Sequence, residues 1–136
     1  RSQNEIVNAA GSGLIGWIST EDITDIAFRA LTDLVIEHTS PIMVGPELLS
    51  YANIAQILTD VLGCEIKHRT ISAEDHKATF IRWGWPADYA VLMSALDVGI
   101  SEGAEERIFS RADFVGQQKI QVFVEEHRDA EQWRAV

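Results

Sequence analysis

The sequence predicts an α/β fold, in which short strands alternate with helices. Three observations support this prediction. Segments rich in β-branched residues alternate with segments whose apolar residues recur at helical spacing. The composition, 46% hydrophobic over 136 residues with a mean hydropathy of -0.01, is typical of a globular protein. Only three strands are evident, and helices outnumber them late in the chain. We expect residues 1–136 to form a single domain, made of late sheet strands and a helical cap.

Glycines at positions 11, 13 and 16 have the G-x-G-x-x-G spacing of a dinucleotide-binding loop. That loop works when a strand leads in and a helix begins within the string, so that its amides face the pyrophosphate. Residues 6–10 are compatible with a strand, but residues 14–19 are β-branched, aromatic and glycine-rich, which favours extended chain. We therefore expect Gly11 and Gly13 to form a turn between two extended segments and to bind no phosphate.

The first helix is predicted to begin at Ser19 or Thr20, with Asp22 and Asp25 serving its start. Its apolar residues follow one face, which should be packed: Ile23, Ile26, Ala27, Ala30 and Leu31. Residues 39–45 then predict a short buried strand. Ser50 is the expected cap of a second helix that ends at Gly63. The apolar stripe of this second helix, meaning the apolar residues that follow one of its faces, consists of Ile54, Ile57, Leu58, Val61 and Leu62.

In residues 65–71, apolar and polar residues alternate, which predicts a strand with one solvent-exposed face. Ser72 should begin a third helix that runs towards Trp83, and Pro86 suits the first turn of a fourth. One side of this fourth helix carries Tyr89, Leu92, Met93, Leu96 and Ile100. After Gly103 the chain turns polar, and a last amphipathic segment around Phe123 ends near Trp133.

The net charge of -10 excludes binding to nucleic acid or to an anionic membrane surface. No apolar run approaches the roughly 18 residues that span a bilayer. The single cysteine, Cys64, is expected to be a buried structural thiol, and its being alone fits a reducing, cytoplasmic location. The first residue is Arg1, so we expect the chain to be a piece of a longer protein.

Catalytic motifs are few. The four histidines at 38, 68, 76 and 127 have no metal-ligand spacing, so no metal is predicted. Tyr51 and Tyr89 are followed four residues later by Ala55 and Met93, so the Tyr-x-x-x-Lys pair of many reductases is absent. Asp75 beside His76 suggests a proton relay or, as we prefer, a solvated helix start. Catalytic residues therefore stay unassigned.

Aromatic residues cluster around the break between the third and fourth helices. Phe80, Trp83, Trp85 and Tyr89 lie within ten positions, and Met93 follows one turn on. Such faces suit a flat, apolar or cationic ligand through stacking and cation–π attraction. Ordinary core packing at a helix corner is the alternative. We name these five residues and Trp17 as candidate substrate-binding residues.

Several segments resemble NmrA-like atypical short-chain dehydrogenases/reductases. They include Asp25-Ile26-Ala27 within residues 17–32. The resemblance continues through residues 45–51, 54–58 and 61–63. Residues 84–89 and 102–107 resemble the ergot-alkaloid branch of that family, of the festuclavine synthase and agroclavine dehydrogenase type. The resemblance covers nearly the whole chain but only the C-terminal half of a Rossmann-like fold.

This resemblance implies that the phosphate loop belongs to an N-terminal half, which would hold NADPH, so no residue of this chain is expected to bind the cofactor. The present half would supply the substrate side of the cleft. In the ergot-alkaloid branch an indole alkaloid aldehyde cyclises to an iminium, which NADPH reduces. A non-catalytic NmrA-like binding or regulatory module that acts through a partner is the alternative. Apolar surfaces left open by the absent half predict self-association or a partner chain.

Overall fold

A computed structural model describes residues 4–32, 40–130 and 133. The described strands are β1 (Glu5–Asn8), β2 (Ile15–Gly16), β3 (Met43–Val44), β4 (Leu48–Leu49), β5 (Lys67–Thr70) and β6 (Phe114–Val115). The described helices are α1 (Thr20–Thr32), α2 (Tyr51–Leu62), α3 (Ala73–Arg82), α4 (Ala87–Ser101), α5 (Ala104–Phe109) and α6 (Ile120–Glu126). None of these helices is long and apolar enough to cross a membrane. The predicted α/β class is confirmed.

The strands pair across long stretches of sequence. β1 and β5 are parallel, with Glu5 opposite Lys67 and Asn8 opposite Thr70. β3 and β6 are also parallel, whereas β2 and β4 are antiparallel. Helix α2 packs against β1, β5 and α6, and α3 packs mainly against α4. Because β1 and β5 run in the same direction, both strands end at the same edge of the pair. The loop that follows β1 and the loop from β5 to α3 therefore lie at this edge.

Local signals placed most helix ends correctly. The Ser50 hydroxyl accepts the Asn53 N–H, the Asn53 side chain accepts the Ser50 N–H, and Gly63 ends α2 in the left-handed conformation. The Ser72 hydroxyl accepts the Asp75 N–H at the start of α3. Pro86 directly precedes α4. These ends depend on side chains that lie close in sequence, which is why the sequence alone was sufficient.

The glycine string is a turn, as expected. It lies between β1 and β2, with the Gly13 N–H donating to the Ala10 carbonyl at 3.0 Å. A Cβ on Gly13 would overlap the backbone carbonyl of Ile100 at the end of α4. The first helix begins only at Thr20. Because no helix begins within the string, it lacks the helix N-terminus that a pyrophosphate needs.

The predicted packing of α1 is wrong for the described residues. None of its residues is buried, and Leu31 is 87% exposed. Of the expected stripe, only Ile26 is partly covered. The stripe correctly marks an amphipathic helix, but no described segment covers its apolar face.

The apolar side predicted for α4 is only partly covered. Leu92 and Leu96 are 54% and 50% exposed, while Ala90, Ser94 and Asp97 form the buried row. Helix α3 and the loop after β1 approach α4 closely on its buried side. This side therefore carries small residues and the Asp97 carboxylate.

Three short elements were missed: β4, α5 and β6. Cys64 is partly exposed, so the prediction of a buried thiol is wrong. The strand predicted at residues 39–45 appears as β3. Its first residue, Thr39, lies outside the described residues, as does His38. Two-residue strands carry too little pattern to be recognised without their distant partners.

Candidate functional site

The carboxyl end of β1 is buried and polar. Asn8 ends the strand, Ala9 and Ala10 follow it, and all three are buried. In α/β proteins, ligands bind beyond the carboxyl ends of parallel strands. Since β1 and β5 are parallel, this end of the pair is where a ligand site is expected.

Asp97 of α4 holds the chain at this point. The Ala9 N–H donates to its Oδ2 at 2.8 Å, and His76 Nδ1 lies 3.1 Å from the same oxygen. The His76 contact is close but poorly aligned, because this nitrogen has no hydrogen bond of good geometry. In the described part of the chain, no lysine or arginine forms an ion pair with Asp97. Within the described residues, the hydrogen bond that its buried carboxylate accepts therefore comes from the backbone amide of Ala9.

Asn8 organises the other side of the same loop. Its Oδ1 accepts the Ala10 N–H at 3.1 Å and lies 3.0 Å from His68 Nε2. Because an amide oxygen only accepts, the hydrogen on His68 must reside on Nε2. The ring of Tyr51 stacks on His68 at 5.8 Å. We call Asn8, Tyr51, His68, His76 and Asp97 the β1-end cluster.

The electrostatics of the β1-end cluster keep Tyr51 and His68 neutral. Burial, and then the negative charge of Asp97, raises the pKa of Tyr51 above its ordinary value. Burial lowers the pKa of His68, and Asp97 opposes that effect only in part. At neutral pH Tyr51 is thus a hydroxyl donor and His68 an uncharged imidazole.

Several buried polar atoms around this cluster have no hydrogen-bond partner among the described residues. They are Asn8 Nδ2 and Ser94 Oγ, together with His76 Nδ1. Buried polar groups are nearly always satisfied in folded proteins, and exceptions concentrate where a ligand or water completes the set. The polar end of β1 therefore has donors and acceptors to offer to a bound molecule.

The aromatic residues at the α3–α4 break lie next to this cluster. The ring of His76 lies 4.8 Å from that of Phe80, which meets Trp83 edge-on at 5.7 Å and Tyr89 at 6.1 Å. Tyr89 in turn stacks on Trp85 at 4.7 Å. We call Phe80, Trp83, Trp85 and Tyr89 the aromatic patch.

The exposure of the two tryptophans of the patch bears on the core-packing interpretation. Trp83 is 69% exposed and Trp85 47% exposed, whereas Phe80 and Tyr89 are partly buried. Core packing therefore does not account for the two indoles. Met93, partly buried, lies one turn after Tyr89 on α4. Binding of a ligand to this patch stays a prediction.

Trp17 lies apart from the patch. Its indole N–H donates to the Leu49 carbonyl at 2.9 Å, and its ring meets Tyr51 edge-on at 5.1 Å. It also lines a separate pocket between the start of α1 and α6. The structure thus brings four of the six predicted site residues into ring contact, with Met93 one turn away and Trp17 elsewhere.

Sequence reasoning missed the β1-end cluster. The Asp75–His76 relay that it considered is wrong: the Asp75 carboxylate accepts the Ser72 hydroxyl at 2.7 Å, and His76 faces Asp97 instead. The preferred interpretation of Asp75 as part of a helix start is confirmed. One signal was present, since Asp97 is an isolated charge in the apolar second half of α4. Within the described ranges, no group of three or more His, Cys, Asp or Glu is arranged to hold a metal.

Known proteins resemble this chain over most of its length. Festuclavine synthase II from Penicillium roqueforti is 37% identical over 107 residues, which cover 78% of this chain and 37% of that protein. The uncharacterised oxidoreductase YesF from Bacillus subtilis is 41% identical over 108 residues, covering 79% of this chain and 38% of that protein. The chain therefore spans less than two-fifths of the length of these curated relatives.

Solved structures share the fold. The Citrobacter sp. triphenylmethane reductase complexed with NADP(H) matches with a TM-score of 0.72 and 23% identity, covering 90% of this chain and 44% of that chain. No protein-family model matches the chain. The chain thus shares the fold of somewhat less than half of that protein.

Proposed function

Because the chain belongs to the NmrA-like atypical short-chain dehydrogenase/reductase family, as the C-terminal part of its fold, we propose that it forms the substrate-binding part of an NADPH-dependent oxidoreductase. NADPH would supply the hydride, held mainly by the nucleotide-binding half of the complete protein. This division agrees with the glycine string, in which residues 11–13 form a turn and no helix begins.

The substrate that we propose is a flat, conjugated molecule with cationic character, a cyclic iminium or aldehyde of an indole alkaloid. The observation that carries this proposal is the pair of exposed indoles, Trp83 and Trp85, beside the buried carboxylate of Asp97. The ring of His76 contacts the Asp97 carboxylate and the ring of Phe80, and Phe80 in turn contacts Trp83. Indole faces attract a flat cation, and a nearby anion with no lysine or arginine bound to it favours positive charge. The relationship to festuclavine synthase II supports the same class.

The chain's own residues would position the substrate and manage protons. Reduction of an iminium carbon consumes the positive charge and needs no proton, so aromatic and electrostatic contacts suffice. Reduction of an aldehyde leaves an oxyanion that must be protonated. Tyr51, whose raised pKa keeps its hydroxyl protonated at neutral pH, is the donor we assign to that case.

Substitution of the patch tests the proposal. In the complete protein that carries this chain, Trp83→Ala and Trp85→Ala should each lower kcat/KM for the alkaloid iminium about 2- to 30-fold, the range of a cation–π contact. The measurement is NADPH consumption under steady-state conditions, with circular dichroism to confirm folding. Phe28→Ala, which removes an exposed ring on α1, is the matched control. Unchanged kinetics in both tryptophan variants would remove the patch from the substrate site.

A titration of NADPH tests where the cofactor binds. The isolated chain should show no tight binding, and addition of the nucleotide-binding half should restore it. Isothermal calorimetry measures both. Tight binding by the isolated chain alone would overturn the assignment of the cofactor to the other half, without touching the assignment of the aromatic patch.

The absence of the Tyr-x-x-x-Lys pair also favours a second candidate, a non-catalytic binding or regulatory module. Tyr51 is followed by Ala55 at the position of the lysine, and Ala55 is buried. Turnover separates the two candidates. A complete protein that binds NADPH and the iminium but oxidises no NADPH would be the module.

A further inference from the structure

The packing of the Tyr51 ring determines where its hydroxyl lies. Tyr51 is partly exposed, and among the described residues its hydroxyl has no hydrogen-bond partner. The hydroxyl oxygen of a tyrosine lies in the plane of the ring, at the end away from the backbone. The contacts that hold the ring therefore also fix the position from which the proton is donated.

Two aromatic rings contact the ring of Tyr51. His68 stacks on it with ring centres 5.8 Å apart and an angle of 26° between the planes, and Trp17 meets it edge-on at 5.1 Å and 88°. Both arrangements are favourable for aromatic pairs. The Trp17 indole N–H donates to the Leu49 carbonyl at 2.9 Å, which ties this ring to the segment that leads into α2. The orientation of Tyr51 then depends on what holds the second ring, His68.

Asn8 holds the ring of His68. His68 lies opposite Ile6 in the strand pair, and Asn8, two residues further along β1, has its side chain on the same face. Its Oδ1 accepts the Ala10 N–H at 3.1 Å, and because a backbone N–H only donates, this contact identifies the atom as the amide oxygen. The same oxygen lies 3.0 Å from His68 Nε2, which therefore carries the hydrogen. One hydrogen bond thus fixes both the tautomer of the imidazole and its rotation.

The surroundings of this hydrogen bond preserve it. Asn8 is 5% exposed, so solvent hardly competes for its oxygen. Burial lowers the pKa of His68, so the uncharged imidazole, with its single N–H directed to Asn8, is the form present at neutral pH. Tyr51 therefore stacks on a ring of one charge, one tautomer and one orientation.

We propose that His68 is a positioning residue for Tyr51: Asn8 holds the imidazole in one orientation, and the face of the imidazole holds the tyrosine ring together with its hydroxyl. This role rests on the proposed function, in which Tyr51 protonates the oxyanion left by reduction of an aldehyde. His68 acts through Tyr51 and exchanges no proton with the substrate. Reduction of an iminium, which needs no proton, does not depend on this role.

The ring nitrogens of His68 test the geometry without a substrate. In nitrogen NMR of the complete protein at neutral pH, His68 should be in one tautomer, with the hydrogen on Nε2. His68→Gln keeps an N–H group for Asn8 but removes the aromatic face, so it should move the Tyr51 ring protons towards the shifts of an unpacked tyrosine. His127→Gln, at the end of α6, is the matched control and should not move them. A mixture of tautomers in the unaltered protein, or hydrogen on Nδ1, would overturn the proposal even if His68→Gln does not fold.

The ratio of two rates tests what this positioning does. An indole carbaldehyde and a dihydro-β-carbolinium salt are the probes, because only reduction of the aldehyde needs a proton. Tyr51→Phe should lower the ratio of kcat for the aldehyde to kcat for the iminium about 100-fold or more. His68→Gln should lower it about 2- to 10-fold, the range of one aromatic contact, with less effect on KM. His68→Phe, which keeps a ring, should recover part of this loss, and His127→Gln should leave the ratio unchanged.

The outcomes separate this role from the proposed function. An unchanged ratio in Tyr51→Phe would overturn the assignment of Tyr51 as the donor, and the role of His68 with it. A ratio that falls in Tyr51→Phe but not in His68→Gln would contradict the positioning role alone. A higher KM for both probes at an unchanged ratio would likewise show that His68 only supports the fold.

Discussion

Asp97 is the residue on which the geometry at the end of β1 depends. It accepts the Ala9 N–H, faces His76 and acts electrostatically on Tyr51 and His68. Asp97→Ala would leave the Ala9 N–H buried without an acceptor, at a cost of about 1–3 kcal/mol. Asp97→Asn is the more informative change, because it keeps an oxygen for Ala9 and removes only the charge.

Asp97→Asn should lower two pKa values. The pKa of His68 should fall further, because the charge that opposes the effect of burial is gone. The pKa of Tyr51 should fall back towards its ordinary value of 10.0. NMR titration of the His68 ring and ultraviolet titration of the tyrosine measure the two shifts. Asp60→Asn, at an exposed carboxylate on α2, is the control, and equal shifts in both variants would contradict the assignment.

Residues whose partners are close in sequence were predictable, and those with distant partners were not. Ser50 and Ser72 cap helices through residues three positions away. Asp97 has its partner Ala9 88 positions earlier, and His76 lies on a different helix. Asp75, the carboxylate next to His76 in the chain, was the obvious candidate and the wrong one, because a helix turns adjacent side chains to different sides.

At the scale of elements, the Asp22 carboxylate couples α1 to the segment that begins α6. Burial raises the pKa of Asp22, but hydrogen bonds from Gln117, Gln118 and Ser19 outweigh it and leave the pKa below 3.8, its ordinary value. A lowered pKa means that the folded state prefers the charged form. The stabilisation is therefore present above pH 3.8 and is lost as the pH falls through the lower value in the folded state.

Asp22→Asn tests this coupling. The variant should have a smaller free energy of unfolding than the unaltered chain at neutral pH, and the difference should shrink in acid well below pH 3.8. Urea unfolding at the two pH values gives the difference. Comparison between the two proteins cancels the general effect of acid on a chain of net charge -10. A difference that does not change with pH would contradict the role of the charge.

Hydrophobic stripes identified helices but not what covers them. The stripe of α2 is buried at Ile54 and partly covered at Ile57 and Leu58, because β1, β5 and α6 pack on it. The stripe of α1 is just as regular, yet its residues remain largely exposed. Periodicity reports that a helix has an apolar face. The segment that covers this face lies far away in the sequence. It is therefore outside the stretch of residues in which the periodicity is seen.

At the scale of the whole molecule, large apolar side chains remain on the described surface. Phe28 and Leu31 lie on α1, and Val91, Leu92 and Leu96 lie on α4. Large exposed apolar side chains grouped on a helix are typical of an interface with another chain or domain. This supports the prediction that the chain self-associates or binds a partner.

Light scattering over a range of concentrations measures this association. The apparent mass should rise with concentration, and the double variant Leu92→Glu, Leu96→Glu should remain closer to the mass of one chain. Ala52→Glu, which adds charge at an exposed position on α2, is the matched control. A chain that is monomeric at every concentration would contradict the prediction.

The three strand pairs have a consequence for how the chain reaches this fold. In the described residues, no strand pairs with its neighbour in sequence: β1 must find β5, β2 must find β4, and β3 must find β6. Within the described residues, β1 gains its partner only when Thr70 has been made, and the bonds from Gln117 and Gln118 to Asp22 close later still. Such long-range closure costs entropy before any sheet bond forms. The helices can form early, but each of these described strands must wait for its distant partner, so we expect the three strand pairs to form later than the helices.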